Sequence, residues 1–186
     1  DHFLGDAHGR DNITVARMAL DQDGKFLAMD VDLLGNMGAY LSTFGPYIPF
    51  GGAGMLPGVY DITTFHCRVR AVMTNTVPVD AYRGAGRPEA TYVVERLVET
   101  AAKELGIDPA EIRRRNFIRS FPYSTPVGLT YDTGDYEATL KQVQELADLA
   151  GYPARKAVSA SRGLKRGIGY SCYIEACGLA PSNIAG

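Results

Sequence analysis

Residues 88–105 constrain the fold more than any other stretch of this chain. Ala90, Val93, Val94, Leu97, Val98, Ala101, Ala102 and Leu105 recur at steps of three and four, which places them on one stripe of a helix. Arg96, Glu99, Lys103 and Glu104 fall outside that stripe. Pro88 at the first helical position gives up no hydrogen bond, and Gly106 is the expected C-cap. At ~1.5 Å per residue the helix is roughly 27 Å long. A stripe of that length needs an apolar layer to lie on.

The layer is expected from strands. Residues 12–20 read as one strand and residues 26–33 as a second, with Leu27, Met29, Val31 and Leu33 as its apolar alternation. Asp21-Gln22-Asp23-Gly24 between them reads as a turn, giving a β-hairpin. Residues 60–76 return to strand character, with Val69, Ala71 and Met73 on one side. Residues 34–59 are rich in glycine, proline and aromatics and predict a long loop. Tyr40, Phe44, Tyr47, Ile48 and Phe50 are too apolar for a freely solvated linker. The loop either packs on the domain's own core or forms a wall of a substrate channel.

After the long helix, Asp108-Pro109-Ala110-Glu111 resembles a capping box and predicts a helix to Asn116. Residues 119–134 read as irregular. Residues 135–150 predict a third helix with Leu140, Val143, Leu146 and Ala147 inward, ended by Gly151. Residues 162–166 form a basic joint and residues 167–176 a last strand. Strands and helices do not alternate one by one, so the expectation is an α+β fold: a hairpin and mixed strands packed with three helices.

Composition excludes several classes. The 186 residues are 46% hydrophobic and 22% charged with a net charge of −2, ordinary for a globular chain and without a general bias toward nucleic acid or anionic membrane. No apolar run approaches the ~20 residues of a membrane span. Cys67, Cys172 and Cys177 form no CxxC or Cys/His cluster, so neither a disulfide framework nor a zinc site is expected, and a reducing compartment fits. Cys172 and Cys177 read as buried thiols, and His66-Cys67 as core packing. His2 and His8 stand ~20 Å apart in an extended chain, too far to share a metal. Arg113-Arg114-Arg115 reads as a solvated helix face.

The chemistry gathers just ahead of the long helix, in Ala81-Tyr82-Arg83-Gly84-Ala85-Gly86-Arg87-Pro88. Two arginines sit in a glycine-loosened turn that leads into a helix N-terminus, where free N–H groups and a partial positive charge suit an anion. Gly84-Ala85-Gly86 is not a dinucleotide fingerprint, because the third glycine and the surrounding βαβ unit are missing.

These segments carry a family resemblance. Asp6-Ala7-His8-Gly9-Arg10-Asp11, Asn36-Met37-Gly38-Ala39-Tyr40, Pro57-Gly58-Val59-Tyr60, Thr74-Asn75-Thr76, the 81–87 loop and Glu111-Ile112-Arg113-Arg114-Arg115-Asn116-Phe117 occur in order. Together they resemble the molybdenum-cofactor-binding large subunit of the molybdenum hydroxylases: xanthine dehydrogenase, aldehyde oxidoreductases and aerobic carbon monoxide dehydrogenase. The loop is most similar to that of the carbon-monoxide-dehydrogenase-like second form. The chain opens on Asp1-His2-Phe3-Leu4 and stops at Ser182-Asn183-Ile184-Ala185-Gly186. Neither end resembles a natural terminus, so residues 1–186 are expected to be an internal part of the molybdenum-cofactor-binding domain.

The resemblance implies hydroxylation of an electrophilic carbon with water as oxygen source, electrons leaving through iron–sulfur clusters to flavin. It implies a molybdenum–molybdopterin cofactor, in the cytosine dinucleotide form. It implies [2Fe-2S] and FAD on small and medium partner subunits, and a cytoplasmic complex. Arg83, Gly84 and Gly86 are the implied cofactor contacts, and Ala85, Tyr82 and Ser182 the implied substrate-pocket residues. No protein ligand to the metal and no catalytic residue is implied within these residues, since the family's glutamate base and its "GQG" and "GGGFGGK" loops lie elsewhere. Arg87 carries no implied role and reads equally as a helix-start arginine. Carbon monoxide dehydrogenases carry a copper-bridging cysteine where Gly84 stands, and purine dehydrogenases an aromatic ring where Ala85 stands. An aldehyde or N-heterocycle is therefore the expected substrate class. The alternatives are a true carbon monoxide dehydrogenase subunit and a non-catalytic module that kept the fold.

Overall fold

A computed structural model describes residues 2–175. Its elements are, in order, α1 (His2–Gly5), β1 (Asn12–Leu20), β2 (Phe26–Gly38), α2 (Tyr47–Ala53), β3 (Thr64–Met73), α3 (Arg87–Leu105), α4 (Pro109–Asn116), β4 (Tyr123–Ser124), β5 (Thr130–Tyr131), α5 (Tyr136–Leu146) and α6 (Tyr152–Ser161), with a 3-10 turn at Leu149–Gly151. The architecture is α+β. The hairpin forms as expected, with β1 antiparallel to β2, and β3 joins β2 in parallel. The three strands lie in the order β1-β2-β3, and β4 pairs only with β5.

The hairpin register carries a bulge. Ala19 pairs with Ala28, but Leu20 pairs with Phe26. Leu27 is the extra residue and is 46% exposed, while Phe26 and Met29 are both buried. The bulge lets two large side chains three positions apart reach one face, which strict alternation assigned to Leu27. In β3 the inward residues are Phe65, Cys67 and Val69; Ala71 and Met73 are exposed. His66 is exposed as well, and its ring bonds Asp30 at 2.8 Å rather than packing in the core. On this outer face Asp30 takes His66 and Arg17, and Asp32 takes Arg68 and Arg70. The His66 and Arg68 hydrogen bonds hold the two carboxyls below the usual carboxylate range.

The inner face is covered by α3, whose Ala90, Val94, Val98, Ala101 and Ala102 are buried. Leu105, read as part of the stripe, is 42% exposed beyond the sheet edge. Tyr60 stacks on Phe117 at 6.0 Å and meets Phe26 edge-on at 5.4 Å, closing the core between strands and α4. The Asp108 carboxylate caps α4 by accepting the Ala110 and Glu111 N–H groups at 2.9 and 3.0 Å. At the other end Asn116 is fully buried. Its Oδ1 accepts the Phe26 N–H at 2.7 Å, and its Nδ2 donates to the Gly24 carbonyl at 2.8 Å. This residue latches α4 to the hairpin turn.

Five further expectations need correction. Residues 34–59 are not one loop, because β2 runs to Gly38 and α2 follows. The 135–150 helix stops at Leu146, and only Leu140 is buried on it; Val143 and Leu146 are 52% and 80% exposed. Gly151 does not end the helical region but introduces α6, with Pro153 in its first turn and Asp148 bonding the Gly151 N–H. No strand forms over residues 167–175, which run without regular structure against α3, α4 and α5. Arg113 is the fifth: it has no exposed surface at all, whereas Arg114 and Arg115 stay at the surface.

Candidate functional site

The 81–87 loop is held at its base by segments distant in sequence. The His8 N–H bonds the Pro78 carbonyl at 2.9 Å, and the Asp80 N–H bonds the His8 carbonyl at 2.8 Å. Ser42 Oγ donates to the Val79 carbonyl at 2.6 Å, and Asp80 Oδ1 accepts the Phe44 and Ala81 N–H groups. The loop then turns tightly. The Ala85 N–H bonds the Tyr82 carbonyl at 2.7 Å, and the Arg87 N–H bonds the Gly84 carbonyl at 3.1 Å.

Three consecutive residues lie in the left-handed region: Gly84 at φ +93°, Ala85 at +40° and Gly86 at +98°. A non-glycine residue there carries strain of ~1–2 kcal/mol, and such strain concentrates at functional segments. Gly86 is also the point of closest approach to α2. A Cβ on it would stand 2.4 Å from the Ile48 carbonyl oxygen and 2.8 Å from the Gly52 nitrogen. A Cβ on Gly84 would stand 2.7 Å from Pro88 Cγ and Cδ.

The side chains divide into two groups. Arg83 and Tyr82 project outward, Tyr82 with 63% exposure. Among the described residues Arg83 makes no ion pair, and the Gly84 N–H has no hydrogen-bond acceptor. Arg10 and Arg87 face the loop from behind. The Arg10 guanidinium donates to the Arg83 carbonyl, lies 4.9 Å from the Tyr82 ring centroid and has its Nε 3.8 Å from Glu89. Arg87 Nη1 donates to the Gly84 carbonyl at 3.1 Å, and its Nε lies 2.9 Å from Glu175. Arg87, which carried no sequence-based role, thus ties the loop to the segment after α6. Arg10 entered the sequence reading only within the Asp6–Asp11 segment and Glu175 only within the expected last strand, neither with a role of its own.

Beside the loop, a cavity of about 470 Å³ opens between β2, α2 and the start of α3, bordered by Arg10, Leu33, Ile48, Gly86, Glu89 and Val93. Of the described residues expected at the site, Gly86 borders it; Tyr82, Arg83, Gly84 and Ala85 do not. Ser182 and Cys177 lie outside the described residues. Among the described residues no three His, Cys, Asp or Glu side chains gather closely enough to hold a metal ion. No helix there is long and apolar enough to cross a membrane.

An outward guanidinium without a carboxylate partner, beside a backbone N–H without an acceptor, fits an oxygen-rich anionic group such as an oxometal or phosphate. The glycines shape the loop by leaving room for Pro88 and for the backbone of α2.

Residues 1–117 match the molybdopterin cofactor-binding domain family. The carbon monoxide dehydrogenase large chain of Hydrogenophaga pseudoflava is 39% identical over 96% of this chain and 23% of its own length. Quinoline 2-oxidoreductase from Pseudomonas putida 86 superposes with a TM-score of 0.80 at 32% identity, over 87% of this chain and 21% of its own. Aldehyde oxidoreductase from Desulfovibrio gigas superposes with a TM-score of 0.70 at 30% identity, over 78% and 16%. The chain spans less than a quarter of the length of these relatives.

Proposed function

Because the chain belongs to the molybdopterin cofactor-binding family of molybdenum hydroxylase large subunits, we propose that its 81–87 loop is one wall of a molybdenum–molybdopterin site. The carrying observation is that, among the described residues, the exposed Arg83 makes no ion pair and the adjoining Gly84 N–H finds no acceptor, on a loop braced by Arg10 and Arg87. Arg83 binds oxo or phosphate oxygens, and Gly84 and Gly86 allow the positive-φ turn that presents the Gly84 N–H to the cofactor. Ala85 and Tyr82 border the substrate space; Ser182, outside the described residues, keeps the pocket role that the resemblance implies. When bound, the cofactor supplies the redox-active metal at which a carbon centre of a small molecule is hydroxylated with oxygen from water. The residues of this chain bind and orient; the proton-moving base belongs to another part of the subunit.

The substrate class that fits best is an aldehyde or N-heterocycle. Gly84 offers no thiolate for copper, and a side chain there meets Pro88 at 2.7 Å. The 39% identity to a carbon monoxide dehydrogenase large chain keeps carbon monoxide as the second reading. The cytosine dinucleotide form of the cofactor, [2Fe-2S] and FAD on partner subunits, and a cytoplasmic location complete the proposal on the strength of the resemblance.

The test is Arg83→Ala in the full-length subunit assembled with its partners. A lost charged hydrogen bond of ~1.5–3 kcal/mol corresponds to about a ten- to hundredfold weaker hold on the cofactor. Molybdenum content and turnover should fall together; unchanged values of both refute the assignment.

A further inference from the structure

The geometry points to Arg10 as the positioning residue that fixes the direction of the Arg83–Gly84 peptide group and so aims the Gly84 N–H at the ligand side of the loop. This rests on the loop being a wall of the cofactor site.

The Arg10 guanidinium is itself fixed on three sides: by the Tyr82 ring, the Arg83 carbonyl and the Glu89 carboxylate. The Arg83–Gly84 bond is trans, since the one cis peptide among the described residues is Phe121–Pro122. In a planar trans peptide the C=O and the N–H point in opposite directions. With the Arg83 carbonyl turned into Arg10, the Gly84 N–H must point away from it. The next carbonyl, on Gly84, is taken by Arg87 through both its backbone N–H and Nη1. Two arginines therefore absorb the two carbonyls on either side of the Gly84 Cα, and the polar group left free is a donor.

The orientation needs a lock because of Gly84 itself. A glycine, free in φ, permits the preceding peptide to flip. A flipped peptide would present its carbonyl oxygen to the ligand, and an oxo or phosphate oxygen would be repelled. Arg10 selects the donor orientation. Its own backbone sits at φ +56°, an unfavourable conformation for arginine, consistent with strain retained for a positioning task. Lysine cannot substitute fully, because a single ammonium cannot lie flat on the Tyr82 ring and reach both the carbonyl and Glu89.

The experiment compares Arg10→Met and Arg10→Lys in the full-length subunit with its partners. In cofactor-free protein, hydrogen–deuterium exchange of peptides covering residues 82–87 should be about tenfold faster in Arg10→Met. In loaded protein, the Mo(V) EPR signal should shift and kcat per bound molybdenum should fall at least tenfold with KM little changed. Arg10→Lys should recover the melting temperature but not the EPR signal. Unchanged loop exchange, or activity that falls only in proportion to molybdenum loss in both variants, overturns the inference. If instead the loop is no cofactor wall, Arg83→Ala leaves molybdenum content unchanged while Arg10→Met still loosens the loop, so the two failures are separable.

Discussion

The Arg113 guanidinium lies 3.0 Å from Glu95 Oε2 with no part of it exposed, on a helix face that reads in sequence as solvated. The same carboxylate accepts the Tyr60 hydroxyl and the Cys172 N–H, and Arg113 also donates to the Pro109 and Tyr170 carbonyls. Burial alone would pull the Arg113 pKa down, but Glu95 holds it above the ordinary value. The pair joins α3 to α4 and pins residues 170–172 over both.

Removing one member leaves a buried charge without its partner. Arg113→Met should destabilise the folded subunit by about 3–5 kcal/mol, read as a shift in the denaturation midpoint. Pairing it with Glu95→Leu should recover much of the loss, because an apolar pair needs no compensation. A single-variant loss under ~1 kcal/mol would show the pair to be energetically idle.

Gly86→Ala places a methyl group against the backbone of α2, at 2.4 Å from the Ile48 oxygen, where no side chain can give way. The positive φ adds ~1–3 kcal/mol of strain. The expected result is a stability loss of at least ~2 kcal/mol together with lower molybdenum content in the full-length subunit. Wild-type stability in this variant would mean that α2 does not press on the loop.

Burial, followed by the charge of Glu95, pushes the Cys172 thiol up to about 11. An unfolded cysteine ionises near ~8.5. The folded state thus keeps a proton that the unfolded state loses. The Cys172 contribution to stability is complete below ~8.5 and declines as pH rises toward about 11. Alkylation of Cys172 by iodoacetamide should accordingly be slow in folded protein at pH 8 and reach half its maximal rate near pH 11. A half-maximal rate near pH 8.5 in folded protein would contradict the burial.

The hairpin, the long helix and the Asp108 cap were legible because each is written locally, in alternation, stripe and cap spacing. The turn at 84–86 was legible as a turn because its two glycines readily take up positive φ. Helix α2 was not, since Tyr47–Ala53 contains two glycines and a proline and owes its shape to packing against Gly86. Leu27 changed places with Phe26 because a bulge shifts the register by one, which alternation cannot reveal. Arg113 read as solvated because its partner, Glu95, lies on a different helix. Arg10 was missed for the same reason: its meaning lies in a carbonyl 73 residues away.

That separation bears on the order of events as the chain is made. Arg10, Ser42 and Ile48 leave the ribosome before the loop they support, but Glu175, the partner of Arg87, follows far behind it. Contacts of such span close late, after local helices and the hairpin have formed. The loop therefore gains its last brace only once translation has passed Glu175, and loading of any anionic group onto it belongs after that moment.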